Sequence, residues 1–172
     1  MRPEAAEPDL AAPRGPDSSA RPGPASIGLH ASCVELDGLG VVLLGASGSG
    51  KSDLALRLID AGARLVADDR LTIERRGDLL FGMPPPALAG LLEVRGFGIV
   101  ALPWRARSRL GLVVELQPEA PQPRLPASEA YGLLGLALPR LRLDPRTPSA
   151  VAKIRLALTA ERIDPSRPTS WP

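Results

Sequence analysis

Apolar residues recur in ordered runs only from Ile27 onward. An extended stretch over 27–36 is followed by Asp37-Gly38 and a second apolar run over 39–44 (LGVVLL). Two such runs around Asp-Gly predict a β-hairpin. Residues 45–50 are Gly- and Ser-rich, and over 51–61 the period becomes helical, with Leu54, Ala55, Leu58 and Ile59 on one face. Gly62 is placed to end that helix. The stretch 64–67 reads as a buried strand running into Asp68 and Asp69, and 71–74 with 79–81 predict a second hairpin around Arg76-Gly77-Asp78. After Met83 the pattern loosens at three prolines. Stretches 97–102 and 110–116 predict further strands, 118–126 a proline-rich loop, and 151–158, announced by Pro148, a second helix. The pattern is α/β and rich in strands, with its clearest helix directly behind a glycine loop.

Composition divides the chain. Residues 1–26 hold six prolines and no apolar period, and are expected to be a disordered tail; 161–172 (ERIDPSRPTSWP) is expected to be a flexible one. That leaves 27–160 as a single domain of ordinary size. Cys33 is the only cysteine and His30 the only histidine, so neither a disulfide nor a zinc cluster of these residues can form within the chain. No apolar run approaches the roughly 20 residues of a membrane-spanning helix, and residues 1–26 lack the apolar core of a secretory signal. A cytoplasmic protein without membrane attachment is the expectation.

Charge adds little. Nineteen of the 21 basic residues are Arg, but they are spread along the chain and the net charge is only +2. A nucleic-acid face would cluster them and add aromatic platforms, and aromatics are 3% of the chain. No nucleic-acid partner is expected. There is no Asn, which excludes the Asn-bearing catalytic loop of eukaryotic-type protein kinases and N-glycosylation.

The chemistry gathers around Gly45-Ala46-Ser47-Gly48-Ser49-Gly50-Lys51-Ser52, which fits G-x4-G-K-[ST] at every fixed position. Glycines let successive backbone N–H groups turn toward phosphate oxygens, and the helix behind adds its positive end. Lys51 is placed to reach the β/γ-phosphates and the Ser52 hydroxyl to ligate Mg²⁺. Asp68 and Asp69 end the next strand, where carboxylates can hold a metal or take a proton from an attacking hydroxyl. Further on, Glu93 and Arg95 stand two apart in Leu92-Glu93-Val94-Arg95-Gly96-Phe97-Gly98-Ile99, so alternation puts both on one side of an extended segment. An acid there can bind metal while a guanidinium holds phosphate oxygens. By themselves His30 and Arg124 attract no assignment.

Together these pieces resemble the catalytic domain of the HPr kinase/phosphorylase family, bacterial enzymes acting on a serine of the phosphocarrier HPr. The match runs through His30-Ala31-Ser32, residues 45–52, Val66-Ala67-Asp68-Asp69 and residues 92–99, in the family's order. The resemblance implies a P-loop NTPase-like mixed sheet with helices, related to phosphoenolpyruvate carboxykinase and assembled as a homo-oligomer, usually a hexamer. It implies ATP and Mg²⁺ as cofactors and an HPr-like carrier as partner. Residue by residue, it implies that His30 is an active-site histidine, Lys51 the loop lysine, and Ser52 and Glu93 the magnesium ligands. Asp69 matches the residue that takes the serine proton in the kinase direction and returns it in phosphorolysis, with Asp68 as its supporter. Arg95 falls in a segment linked to both activities, and Arg124 aligns with a further active-site arginine.

The chain also departs from the pattern. Family members usually carry an N-terminal domain before this one, so the chain reads as a short form. Ala46 replaces a common acidic residue, and 149–158 (SAVAKIRLAL) stands where longer members have an Arg-rich loop tied to dephosphorylation. Two competing functions remain at this point: a small-molecule kinase, which leaves the Glu93–Arg95 segment unexplained, and a nucleotide-binding regulatory module without transfer, which needs neither Asp69 nor His30.

Overall fold

The computed structural model describes residues 25–118, 124 and 127–160. The Asp37-Gly38 turn sets how the domain begins. Both residues have positive φ (51° and 81°), matching the twist of a two-residue hairpin. They join β2 (Ser32–Leu36) to β3 (Leu39–Leu44) with Leu36 opposite Leu39. The single extended stretch expected over 27–36 is instead two strands. β1 (Ser26–Leu29) breaks off at His30 and pairs with β5 (Leu71–Arg76) rather than joining β2. It starts inside the stretch expected to be tail, and the Ala25 carbonyl already accepts from Arg75 N–H at 2.9 Å. The remainder of that tail, and the C-terminal one, lie outside the described residues.

Helix α1 (Lys51–Asp60) follows β3 as expected, and Gly62 (φ 102°) closes it with its N–H on the Ile59 carbonyl. The chain returns through β4 (Arg64–Ala67), then the hairpin β5–β6 (Leu79–Met83), and a separate two-stranded ribbon of β7 (Leu91–Val94) and β8 (Gly98–Ala101). β9 (Ser108–Leu116) is the spine. It runs parallel to β3 on one edge, while the other meets β6 at its start and β11 (Leu136–Leu143) at its end. The sheet order is β1-β5-β6-β9-β3-β2-β4, with β10 (Glu129–Leu133) attached through β11. This is a mixed α/β fold, a curled mixed sheet with two α-helices among the described residues. Its second helix, α2 (Ala150–Thr159), matches the helix expected near 151–158.

The β10–β11 hairpin has no counterpart in the sequence reading. Pro139 interrupts its apolar pattern, and its turn is Leu134-Gly135, both at positive φ, rather than a familiar Asn-Gly or Asp-Gly. Pro139 is tolerated because the parallel pairing of β11 with β9 begins only at Arg140.

Alternation along the central strands gives each sheet face its own core. Val41 and Leu43 face a cluster shared with α1 and α2 (Leu54, Leu58, Ala150, Ile154), while Val42 faces a second one under the hairpins (Ile73, Leu80, Leu133). Two bulges adjust the phase. Between β3 and β9 the partner of Gly40 is Leu110 but that of Val41 is Leu112, so Leu110 and Leu112 face opposite cores around the skipped Gly111. Between β2 and β4 Val66 is skipped in the same way. That second bulge positions the site.

Candidate active site

The loop over 45–52 leaves the end of β3 at the middle of the sheet and enters α1 directly. Gly48 and Gly50 have φ of 76° and 96°, where a side chain is strained, and a Cβ on Gly45 would overlap the Ser49 hydroxyl. Gly50 caps the helix with its carbonyl on Leu54 N–H at 2.9 Å. Lys51 is 7% exposed, its Nζ donating to the Gly45 and Ala46 carbonyls at 2.9 and 3.0 Å. The loop thus wraps the lysine with its own carbonyls.

After β4 the two aspartates part company. Regular alternation from Leu65, which faces the helices, would send Ala67 to the helix side and Asp68 away from it. Skipping Val66 puts both Val66 and Ala67 on the far core and returns Asp68 to the helix side. Asp68 is 6% exposed and accepts from three donors there: Ser32 Oγ at 2.6 Å, Ser52 Oγ at 2.9 Å, and Glu93 N–H at 3.3 Å. Asp69 is in the left-handed region (φ 62°), which turns its side chain the other way. It is 64% exposed and meets His30 Nδ1 at 3.0 Å. The break between β1 and β2 puts His30 within reach of it.

These residues open on one cleft of about 310 Å³. It is lined by His30, Ser47, Gly48, Gly50, Lys51, Ser52, Asp69, Glu93 and Arg95, all singled out in the sequence, together with Asp53, Leu56 and Val94, which were not. Asp53 carried a faint signal as an acid in the first helical turn; it pairs with Arg57 at 3.1 Å. Leu56 carried none, and Val94 only its place in the matched stretch 92–99. Glu93 and Arg95 both line the cleft as alternation suggested, although β7 ends at Val94 and Arg95 belongs to the turn. Asp68 lies behind the wall. Arg124 is exposed and is not among the residues lining the cleft, so the structure does not bring it to the others. Ser32, which anchors Asp68, stood in the sequence only as part of the matched His30-Ala31-Ser32, without a role, because a Ser at a strand start has many ordinary explanations.

Ser52 Oγ, with its proton on Asp68, and the Glu93 carboxylate are hard oxygen donors at the cleft. Among the described residues no three His, Cys, Asp or Glu side chains form a metal cage. Two such oxygens are a donor set Mg²⁺ can use, since that ion is held by one or two protein oxygens and completes its shell with substrate phosphates and water. The arrangement fits the ion.

A curled mixed sheet carrying a G-x4-G-K-S loop between its central strand and first helix, with acid and base side chains across one cleft, defines an α/β domain of the Walker-loop class. The family described as HPr Serine kinase C-terminal domain matches residues 24–143. The chain belongs to that family. It is 35% identical over 136 residues to HPr kinase/phosphorylase 1 of Oceanobacillus iheyensis, covering 74% of this chain and 42% of that one. It is 39% identical over 127 residues to HPr kinase/phosphorylase of Burkholderia lata, covering 67% and 39%. The chain thus spans about two fifths of the curated relatives it matches. The solved Hpr(Ser) kinase/phosphatase of Coxiella burnetii superposes with a TM-score of 0.68 at 25% identity, covering 76% of this chain and 93% of that one. Among the described residues no helix is long and apolar enough to cross a membrane.

Proposed function

We propose that this chain is an ATP- and Mg²⁺-dependent kinase acting on a serine of an HPr-like phosphocarrier. The observation that carries the reading is the exposed Asp69 carboxylate, held by His30 in the cleft that also contains Lys51 and Ser52. A module that only bound nucleotide would have no use for an accessible base beside the phosphates. In this reading the loop amides and Lys51 hold the triphosphate and Arg95 gives a second cation for its oxygens. Ser52 and Glu93 would hold Mg²⁺, which when bound neutralises phosphate charge. The acceptor serine oxygen attacks the γ-phosphorus, its proton passes to an Asp69 oxygen, and ADP leaves with the electrons of the broken P–O bond. His30 keeps Asp69 directed at the acceptor. In phosphorolysis inorganic phosphate attacks the phosphorus of phosphoserine, the serine O–P bond breaks with its electrons on the serine oxygen, which takes the proton from Asp69, and the pyrophosphate formed is released. Assembly as a homo-oligomer, a hexamer by family resemblance, belongs to the same proposal.

The test is incubation of the chain with labelled ATP, Mg²⁺ and HPr-like carriers of its host, followed by location of phosphoserine by mass spectrometry. Label on a carrier serine supports the kinase. Binding of ATP with no label transferred to any carrier would favour the regulatory module.

A further inference from the structure

One buried hydroxyl touches the site from the protein interior. Ser32 is fully buried at the start of β2, and its Oγ donates to Asp68 Oδ1 at 2.6 Å, the length of a charge-assisted bond. The antiparallel pairing of Cys33 with Ala67, carried one step further, sets Ser32 against Asp68. Asp68 in turn touches both residues read here as magnesium ligands. It accepts from Ser52 Oγ at 2.9 and 3.2 Å through its two oxygens, and from the backbone N–H of Glu93 at 3.3 Å. A carboxylate's terminal torsion is broad, so an unpinned Asp68 could turn and serve one neighbour at the expense of the other.

We propose that Ser32 is a positioning residue for the divalent cation. Its bond fixes the rotation of Asp68, which keeps the Ser52 proton turned inward and the Ser52 oxygen's free lone pairs toward the cleft. The same fixed carboxylate holds the β7 backbone at Glu93. Both ligands are therefore set before any ion arrives, through a hydroxyl that water cannot replace because it is buried. The inference rests on the reading of Ser52 and Glu93 as metal ligands.

Thr and Val have the same shape and differ in one hydroxyl, so Ser32→Thr and Ser32→Val isolate the bond from the packing. The measurement is Mn²⁺ binding to the full chain with ADP by electron paramagnetic resonance, beside ADP affinity in EDTA. Loss of such a supporting bond typically weakens metal binding about 10–100-fold. Ser32→Val should show a loss of about that size, Ser32→Thr should stay near wild type, and metal-free ADP affinity should match in all three. In turnover, the Ser32→Val defect should appear as a higher requirement for Mg²⁺, with kcat restored at saturation. Should Ser32→Val fail to fold, Ser32→Ala, which only removes an atom, replaces it. Equal Mn²⁺ affinity with and without the hydroxyl overturns the positioning role alone. A wild-type chain that binds no Mn²⁺ overturns the metal reading and this inference with it.

Discussion

Asp68 and Asp69 are chemically identical and adjacent, yet one is 6% exposed with three donors on it and the other is 64% exposed beside His30. Their substitutions should fail in different ways. Asp69→Asn keeps size and cannot take the serine proton, so kcat should fall by about 10²–10⁴-fold, the usual range for a general base. Nucleotide Kd and Tm should barely move, because the side chain is largely in solvent. Asp68→Asn should lower Tm and raise the Mg²⁺ requirement, since it disturbs Ser32, Ser52 and Glu93 together. Near-normal turnover of Asp69→Asn beside a dead but folded Asp68→Asn would show that the base is the other residue. Cys33 makes a separate case. Burial, helped by the nearby Glu35 carboxylate, pushes its thiol far above the ordinary value. A proton held more tightly folded than unfolded means stability is intact below the ordinary thiol pKa of about 8.5 and declines as pH rises beyond it. Iodoacetamide at pH 8 should therefore label Cys33 only in denaturant; rapid labelling of the native chain would contradict its burial.

At the scale of elements, helix α2 poses the sharpest question, since it begins after the last residue of the family match, 143. Its Ala150 and Ile154 are fully buried in the same cluster as Leu54 and Leu58 of α1. Arg155 also donates to the Ala61 carbonyl at 2.7 Å at the end of α1. Ile154→Ala should cost about 2–5 kcal/mol, the range for a large-to-small change in a core that cannot collapse. Denaturant unfolding measures it, and a loss below 1 kcal/mol would mean that α2 only rests on the domain. Helix α2, β9 and both Gly-marked hairpins are legible in the sequence, because each has a clear period or turn signal. β10 and β11 are not, because Pro139 and the Leu134-Gly135 turn look unlike a strand pair until β9 supplies the partner.

For the whole molecule, the first described residues already belong to the sheet: the Ala25 carbonyl accepts from Arg75 and Ser26 pairs with Glu74. Deleting residues 1–24 removes no hydrogen bond among the described residues and should leave Tm close to that of the full chain. Deleting 1–29 strips β1 from β5, from Ser26 opposite Glu74 to Leu29 opposite Leu71, and should lower Tm by several degrees. Thermal unfolding of the two truncations side by side checks this; equal Tm values would place the edge of the stable domain at β2.

The glycine loop, the helix behind it and the strand ending in two aspartates were legible because each depends on local chemistry. Glycine reaches positive φ, an amphipathic period buries one helix face, and Asp-Gly closes a hairpin, whatever surrounds them. The family pattern in His30, residues 45–52, Asp68-Asp69 and residues 92–99 rests on the same local residues. Which aspartate faces the loop could not be read that way. It follows from Val66 being skipped against β2, and side-chain direction in a strand reverses with every residue, so a one-residue bulge exchanges the two carboxylates. The hold of Ser32 on Asp68 and of His30 on Asp69 likewise exists only once β1 and β2 separate and β4 lies beside β2. Local sequence determined which groups the site contains, and the pairing of distant strands decided what each of them can touch.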